Sequence, residues 1–166
     1  MAGGHPGHRL RSAGASAALA LVLGLAGCSG THEGPGSSVA GEERVERVID
    51  GDTVELSASG RARLIGVDTP EVHGEVECFG REASAFTKRA LTGRVVEAER
   101  GADARDRYGR LLVYLYVDGE MFNEELIRRG YAQPLSVPPN VKHEDTFEAL
   151  ASAARETEAG LWGVCP

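Results

Sequence analysis

From residue 44 onward the chain begins with short runs in which apolar and polar residues alternate. Residues 44–50 (RVERVID) have the pattern of a strand, Asp-Gly-Asp at 50–52 is typical of a turn, and residues 53–56 (TVEL) alternate like a returning strand. Residues 61–67 (RARLIGV) alternate and then become continuously apolar, which is typical of a strand that enters a core. The pattern predicts a meander of three strands.

A helix and two further strands are predicted next. Between residues 79 and 91 the apolar positions fall at helical intervals, at Ala83, Phe86, Ala90 and Leu91. Residues 94–99 (RVVEAE) predict a fourth strand, and residues 109–117 (GRLLVYLYV) predict a fifth that is strongly apolar and aromatic.

Helical spacing returns in the last third of the chain. Asn123 is placed to cap a short helix that Gly130 would end, and residues 143–159 carry apolar side chains at helical spacing. Residues 134–141 are rich in proline and predict an irregular loop. The order of elements predicts an α+β fold, a five-stranded Greek-key β-barrel of the oligonucleotide-binding type with about three α-helices.

Residues 1–27 have the pattern of an export signal. A basic start with Arg9 and Arg11 precedes an apolar run at 15–26, which is shorter than the about 20 residues that a membrane-spanning helix needs. The run ends in LAGC at Cys28, which resembles the lipobox of bacterial lipoproteins, where the cysteine becomes the first mature residue and carries the lipid. An ordinary signal peptide that happens to precede a cysteine is the alternative.

Residues 28–41 predict a flexible tether, because they are rich in glycine, serine and proline. The folded domain would then comprise residues 42–166. With a lipid on Cys28, we predict that this domain lies outside the cytoplasm, anchored to a bacterial membrane or released from it. We expect a monomer.

The charge balance limits how the domain could bind nucleic acid. The chain has 18 Lys and Arg against 25 Asp and Glu, a formal net charge of −7, and loss of the two signal arginines makes the remainder more acidic. A domain with a net negative charge does not hold DNA through its overall electrostatic field. Chemistry on nucleic acid would need a local site and a bridging cation.

Three cysteines leave one odd, and lipidation accounts for Cys28. Cys78 and Cys165 remain, in a compartment where disulfides persist. We predict a bridge between them, which would stabilise the domain by about 4 kcal/mol in the chain-entropy model. Two unrelated buried thiols are the alternative.

Acidic residues at two predicted strand ends are candidate metal ligands. Asp52 follows the first turn and Asp68 follows the third strand, and both are hard oxygen donors of the kind that Ca²⁺ prefers. Pro70 restricts the backbone after Thr69, so the Thr69 carbonyl could be presented to the same ion. Two carboxylates make a weak site, which a bound phosphate would complete.

Two arginines and a spare acid supply the other parts of phosphodiester chemistry. Arg63, inside an apolar strand, and Arg110 are candidates for bidentate contacts to phosphate. Glu71 is then free to act as a general base on water. A cation, two arginines and a base are the parts that in-line attack on a phosphodiester needs.

Each of these features also has a purely structural interpretation. Asp-Gly-Asp is more often only a turn. Arg63 could form a surface ion pair with Glu55 across a hairpin, and residues 106–110 could be a solvated, mobile loop. His73, near Glu71, has no Cys or His partner at zinc-site spacing and is assigned to solvent.

Five segments together resemble the staphylococcal nuclease, or thermonuclease, family. They are VIDGDTVEL (48–56), RLIGVDTPE (63–71), GREASAFTKR (80–89), DRYGRLLVYLYVDGEMFNEELIRRGYA (106–132) and GLW (160–162). They occur in the family's order and with similar spacing. The resemblance implies a barrel that hydrolyses DNA and RNA to 3′-phosphate products and requires Ca²⁺.

The resemblance also implies roles by position. The implied calcium ligands are Asp52, Asp68 and the Thr69 carbonyl. The implied catalytic residues are Arg63, Glu71 and Arg110. Asp50 would shape the calcium site from behind its ligands, and Tyr108 and Arg107 would contact the substrate near a nucleotide phosphate.

The sequence departs from the family in two places. Leu135 and Val137 stand where the best-known member has tyrosines against the nucleotide base, so stacking should be weaker. The loop after Glu71 is short and acidic rather than rich in lysine, which should weaken long-range attraction for DNA.

Two other functions remain open, a nucleic-acid-binding module without activity and a surface lipoprotein that binds calcium or cell-wall polymers. A module that only binds has no need for a cation site, two arginines and a spare carboxylate. All five of these residues are present, which favours an enzyme: Asp52, Arg63, Asp68, Glu71 and Arg110.

Overall fold

Five strands close into a barrel in the computed structural model, which describes residues 39–166. The described residues form eight strands: β1 (Val39–Val48), β2 (Thr53–Leu56), β3 (Gly60–Leu64), β4 (Gly66–Asp68), β5 (Val95–Arg105), β6 (Leu111–Val117), β7 (Glu120–Met121) and β8 (Gln133–Leu135). The five that close the barrel are β1, β2, β3, β5 and β6. The helices are α1 (Gly80–Leu91), α2 (Phe122–Arg128), α3 (Glu144–Glu156) and the single turn α4 (Leu161–Val164). The predicted α+β barrel is confirmed.

The barrel closes through one parallel pair of strands. β1 pairs antiparallel with β2 and β5, β2 with β3, and β5 with β6. β3 then pairs parallel with β6, with Ala62 opposite Leu111 and Leu64 opposite Val113. This last pairing brings two distant parts of the chain side by side, and the candidate site lies on its outer face.

Alternation along β3 separates the core from the site. Ala62 and Leu64 are buried in the barrel core, whereas Arg61 and Arg63 lie on the other face of the strand. Successive side chains of a strand point to opposite faces, so a strand with one buried face buries every second residue. The arginines of the predicted third strand are therefore outside the core.

The third strand predicted at residues 61–67 is in fact two strands, β3 and β4. Gly66 has a φ of +76°, and the ring of Phe147 occupies the place where a β-carbon would stand. Only glycine allows both the left-handed backbone and this contact. After the break β4 pairs with β8 instead, so the loop predicted at 134–141 begins as a short strand.

Asn123 was predicted to cap α2, but it does not. Met121 is the N-cap, and Asn123 lies within the helix and is fully buried. Its Oδ1 accepts a hydrogen bond from the Leu115 backbone N–H at 3.0 Å, and its Nδ2 donates to the Ile65 carbonyl at 2.9 Å. The side chain therefore joins α2 to β6 and to the break between β3 and β4.

Two strands are longer than their patterns predicted. β1 begins at Val39, within the stretch predicted as tether, and pairs there with Glu99. β5 continues to Arg105, beyond the predicted end at residue 99, with a shift of register against β6. Both extensions depend on pairing between strands, which the local pattern does not contain.

A disulfide joins Cys78 to Cys165, as predicted. It ties the loop between β4 and α1 to the C-terminus. No helix within residues 39–166 is long and apolar enough to cross a membrane. The predicted signal, Cys28 and most of the tether lie outside the described residues.

Candidate active site

The turn between β1 and β2 is held in place by its neighbours. A β-carbon at Gly51 would collide with the side chain of Thr69, so the Asp-Gly-Asp turn packs directly on the segment that follows β4. Thr87 of α1 donates a hydrogen bond from Oγ1 to the Gly51 carbonyl at 2.7 Å. Within the turn, the Asp50 carboxylate accepts the Asp52 backbone N–H at 3.1 Å.

Asp52 is the buried centre of the site, with 5% of its surface exposed. Its Oδ2 accepts hydrogen bonds from the backbone N–H and the hydroxyl of Thr69, at 2.9 and 2.8 Å. Its Oδ1 lies 3.1 Å from Nη1 of Arg63 and accepts the Thr53 hydroxyl at 3.2 Å. One carboxylate thus joins the first turn, β3 and the segment after β4.

Arg63 bridges two carboxylates. Its Nη1 donates to the carbonyls of Leu64 and Val67, both at 2.9 Å, as well as contacting Asp52. Its Nη2 lies 3.1 Å from Oδ1 of Asp68, whose side chain is 59% exposed. The guanidinium is therefore fixed with Asp52 on its buried side and Asp68 on its solvent side.

The ion pair considered between Arg63 and Glu55 is not formed. Glu55 lies opposite Arg61 on the neighbouring strand, and its carboxylate contacts Arg47 of β1 at 2.9 Å. The surface interpretation of Arg63 is therefore wrong.

The two carboxylates beside Arg63 carry more negative charge than one guanidinium balances. Burial raises the pKa of Asp52, against the lowering effect of Arg63, and the charge of Asp50 raises it further. Burial also raises the pKa of Asp68 against Arg63, and the charges of Asp52 and Glu77 add to the rise. The site can therefore accept additional positive charge.

These donors fit Ca²⁺ only in part. Asp52 and Asp68 are oxygen donors that contact the same guanidinium of Arg63, and Thr69, directly after Asp68, donates to Asp52. Within residues 39–166, however, no three His, Cys, Asp or Glu side chains are grouped closely enough to hold a metal ion. A calcium ion would therefore need carbonyl, water or phosphate oxygens to complete its shell.

Arg63 and Arg110 line one cleft of about 560 Å³. Tyr108 lines the same cleft, and the exposed side chains of Leu135 and Val137 form its apolar wall. The two arginines are 47 positions apart in the sequence and meet because β3 pairs with β6. Neither terminal nitrogen of Arg110 has a hydrogen-bond partner within the described part of the chain, so both are available to a ligand.

The turn that carries Arg110 is ordered by Asp106. Its carboxylate accepts the backbone N–H groups of Tyr108 and Arg110, at 2.9 and 3.0 Å, and Nε of Arg110 at 2.6 Å. Although burial raises the pKa of Asp106, these hydrogen bonds hold it below its usual range. The alternative of a loosely solvated loop at 106–110 does not fit this network.

Tyr108 and Arg107 form a flat, exposed surface beside Arg110. The Tyr108 ring is 69% exposed. The guanidinium of Arg107 lies 4.8 Å from the ring centroid and donates to the phenol oxygen at 2.7 Å. Arg110 stands 5.5 Å from the same centroid. Aromatic rings and guanidinium planes of this kind are stacking partners for nucleotides.

Glu71 has a fixed backbone and a free carboxylate. Its N–H donates to the Glu77 carboxylate and its carbonyl accepts the Glu77 N–H, both at 3.0 Å. The backbone of Gly80 packs against the Glu71 carbonyl so closely that no β-carbon fits. The Glu71 carboxylate is exposed, without a partner within residues 39–166, and it lies outside the lining of the cleft.

Thr87 is a supporting residue that the sequence did not single out. It is fully buried and positions the turn before Asp52. The sequence feature that could have indicated this role is that Thr87 is a polar residue on the apolar stripe of α1, four positions after Ala83. Such residues often bond to the backbone of a neighbouring element.

The fold and the site together define an oligonucleotide-binding-type barrel with an arginine-lined cleft beside paired carboxylates. Residues 61–164 match the family model described as staphylococcal nuclease homologue. The chain belongs to this family, as the sequence motifs predicted.

Three nucleases are similar in sequence to most of this chain. The thermonuclease of Staphylococcus hyicus is 40% identical over 142 residues, which is 81% of this chain and 84% of that protein. The thermonuclease of Staphylococcus intermedius is 37% identical over 155 residues, or 89% and 92%. Endonuclease YncB of Bacillus subtilis (strain 168) is 36% identical over 127 residues, or 71% and 60%.

Proposed function

We propose that this chain is a calcium-dependent phosphodiesterase that hydrolyses DNA and RNA to 3′-phosphate products. Membership of the family makes it a hydrolase that acts on nucleic acids. The observation that carries the proposed phosphodiester chemistry is that Arg63 and Arg110 line one cleft. The same Arg63 contacts the paired carboxylates of Asp52 and Asp68.

The two arginines bind the phosphate that is cleaved. A guanidinium matches the oxygens of a phosphate with two parallel hydrogen bonds and keeps its charge at every working pH. Arg63 is held rigidly by four partners, and Arg110 is oriented through its Nε by Asp106. Donors placed before the reaction stabilise the charge that develops on the phosphate without reorganising.

Asp52, Asp68 and the Thr69 carbonyl would hold the calcium ion. Bound there, Ca²⁺ supplies positive charge next to the phosphate and screens it from the acidic surface. Asp50 supports this set from behind, because it fixes the backbone N–H of Asp52. The excess of negative charge around Arg63 is what supports a cation at this place.

Glu71 is proposed as the general base. Its carboxylate takes a proton from water while the water oxygen bonds to phosphorus and the bond from phosphorus to the 5′ oxygen breaks. The leaving 5′ oxygen takes a proton from solvent, Glu71 returns its own proton to solvent, and the phosphate stays on the 3′ side. The free carboxylate on a fixed backbone supports this role.

Tyr108 and Arg107 are proposed to contact the substrate beside the cleaved bond. The exposed ring and the guanidinium stacked on it suit a splayed, single-stranded nucleotide better than a paired one. Leu135 and Val137 offer apolar contact to a base without a phenol, so base preference should be weak.

Calcium dependence and the role of Glu71 can be tested together. The chain without its signal and Cys28 is incubated with single-stranded DNA and with RNA, in Ca²⁺ and in EGTA. We expect products that end in 3′-phosphate only with Ca²⁺, and a fall in rate of about 10²- to 10⁴-fold for Glu71→Gln.

Glu75→Gln, an exposed acid in the same loop, is the matched control and should cleave like the wild type. Equal digestion in both buffers would reject the calcium mechanism. Tight binding of the DNA with no product in either buffer would indicate a binding module instead.

We also propose that Cys28 carries a lipid and holds the enzyme outside the cytoplasm. The basic start, the short apolar run and the LAGC sequence support this. In a bacterial host the wild-type protein should sediment with membranes, and Cys28→Ser should not. Sedimentation of both proteins alike would contradict lipidation.

A further inference from the structure

A second recess adjoins the cleft at Arg110. This recess has a volume of about 430 Å³ and is lined by Arg61, Tyr108, Gly109 and Arg110. Two of these residues, Tyr108 and Arg110, also line the cleft, so the two spaces adjoin one another. Arg61 is the charged residue of the recess to which the proposed chemistry gives no role.

The barrel itself places Arg61 beside Arg110. Ala62 lies opposite Leu111 in the parallel pair that closes the barrel, so the residues that precede them, Arg61 and Arg110, stand next to one another. Arg61 also shares the outer face of β3 with Arg63, two positions further along. Their Cα atoms are therefore about 6.6 Å apart, a step similar to that between successive phosphates of an extended single strand.

Arg61 is exposed and has no hydrogen bond or ion pair with any described residue. The acid opposite it, Glu55, is already engaged by Arg47. Arg63 and Arg110, by contrast, are each held by an aspartate. Arg61 and Arg110 are like charges that face one recess, an arrangement that costs free energy until an anion joins them.

The floor of the recess is open to a ligand. A β-carbon at Gly109 would meet no protein atom within 4 Å, so the absence of a side chain leaves the space clear. The exposed ring of Tyr108 forms one wall and offers a face to a sugar or a base. A backbone phosphate could therefore approach Arg61 without displacing any protein group.

The charges around both spaces differ in sign from the chain as a whole. Together the cleft and the recess are lined by five arginines and two aspartates, whereas the chain carries a net charge of −7. The arginines are Arg61, Arg63, Arg105, Arg107 and Arg110. This concentration of guanidinium groups follows the path that a strand would take through the cleft and into the recess.

We propose that Arg61 binds the backbone phosphate next to the one that is cleaved, so that the recess is a subsite for a neighbouring nucleotide. This inference rests on the proposed function of the cleft. Arg61 is a binding residue and takes no part in the chemical step. It makes the enzyme prefer a strand with several phosphates over a substrate with only one.

The test compares Arg61→Ala with the wild type, both as the full chain, on two substrates. One is a dinucleoside monophosphate, which has a single phosphodiester, and the other is a single-stranded decanucleotide. We expect Arg61→Ala to raise KM for the decanucleotide about fivefold with kcat unchanged, and to leave the short substrate unaffected. The slope of log affinity against log salt should become shallower by about 0.7, the value for one phosphate contact on a single strand.

Two variants separate binding from structure. Arg89→Ala removes an exposed arginine of α1, outside the cleft and the recess, and should match the wild type on both substrates. Arg61→Lys keeps the charge and should restore most of the salt slope. Urea unfolding of each variant shows whether the barrel is intact.

Two results would overturn the subsite: equal behaviour of Arg61→Ala and wild type on the decanucleotide, or an equal loss on both substrates. Failure of the proposed function is a different result, namely no cleavage of either substrate by the wild type. In that case binding of a fluorescent decanucleotide still decides, because weaker binding by Arg61→Ala would support the subsite and unchanged binding would refute it.

Discussion

Replacing Arg63 by methionine tests the electrostatic basis of the site without relying on activity. Methionine keeps much of the length and the apolar stem of arginine and removes the charge. In the wild type the guanidinium contacts two carboxylates and two backbone carbonyls. The variant leaves the buried carboxylate of Asp52 with hydrogen bonds only from Thr53 and Thr69.

The size of the effect follows from burial. The side chains of Arg63 and Asp52 are 13% and 8% exposed, and removing one partner of a buried pair costs about 3 to 5 kcal/mol. We take the lower limit, about 3 kcal/mol, because Asp52 keeps its other hydrogen bonds. Arg47 and Glu55 form a comparable pair at 65% and 32% exposure, and Arg47→Met should cost less than about 1 kcal/mol.

Calcium should reverse part of this loss. Urea unfolding of the wild type and both variants is measured in EGTA and in Ca²⁺, with no nucleic acid present. A divalent ion between Asp52 and Asp68 supplies the positive charge that Arg63→Met lacks, so Ca²⁺ should stabilise that variant more than it stabilises the wild type or Arg47→Met. If Arg63→Met costs no more than Arg47→Met, or if Ca²⁺ stabilises all three proteins equally, the reasoning about this charge cluster is wrong.

Three further predictions concern other parts of the domain. Cys165→Ser opens a bridge between residues 87 positions apart and should lower the free energy of unfolding by about 4 kcal/mol; urea unfolding checks this, and reductant should affect the wild type alone. Asn123→Ala leaves the buried Leu115 N–H unpaired and should cost about 2 to 3 kcal/mol in the same assay. Arg110→Ala should lower kcat/KM on single-stranded DNA about 10²- to 10³-fold, whereas Arg89→Ala on the outer side of α1 should change it less than about twofold; equal effects would contradict the role of Arg110.

The barrel could be predicted because its strands show their buried face in the local pattern. β3 buries alternate residues, Ala62 and Leu64, and β2 and β6 bury every second residue together with some of the residues between them. The break between β3 and β4 could not be predicted in this way. It depends on the contact of Gly66 with Phe147, 81 positions later in the sequence, and a glycine in an apolar run carries no sign of which ring will lie against it.

Asn123 shows how a correct local rule gave the wrong role. Asparagine before a run of helix formers is a common cap, and the helix does begin one residue earlier. A fully buried amide with partners on two other elements satisfies more hydrogen bonds than an exposed cap does. Tertiary contacts decided the outcome, and they are absent from the local pattern.

The candidate residues could be chosen from the sequence, and the resemblance implied that they share one site, but the local pattern does not show why they meet. Asp52, Arg63 and Arg110 each have a common structural explanation when considered singly, and only the order of the motifs favoured chemistry. Arg63 and Arg110 reach one cleft because β3 pairs with β6, and no short-range period encodes that pairing. Arg61 was missed for the same reason, since an exposed arginine on an alternating strand has no distinguishing mark until its neighbour across the barrel is known.

The charge of the chain, which counted against nucleic acid as a ligand, has a consequence for how a substrate is captured. An acidic domain gives little long-range attraction, so affinity must come from close contacts within the cleft and the recess. If Arg63 and Arg110 share one phosphate and Arg61 holds the next, two phosphates are neutralised. The salt slope on a single strand should then be about −1.4. A much steeper slope would mean that arginines outside these two spaces also hold the strand, and that the acidic surface repels it less than the net charge implies.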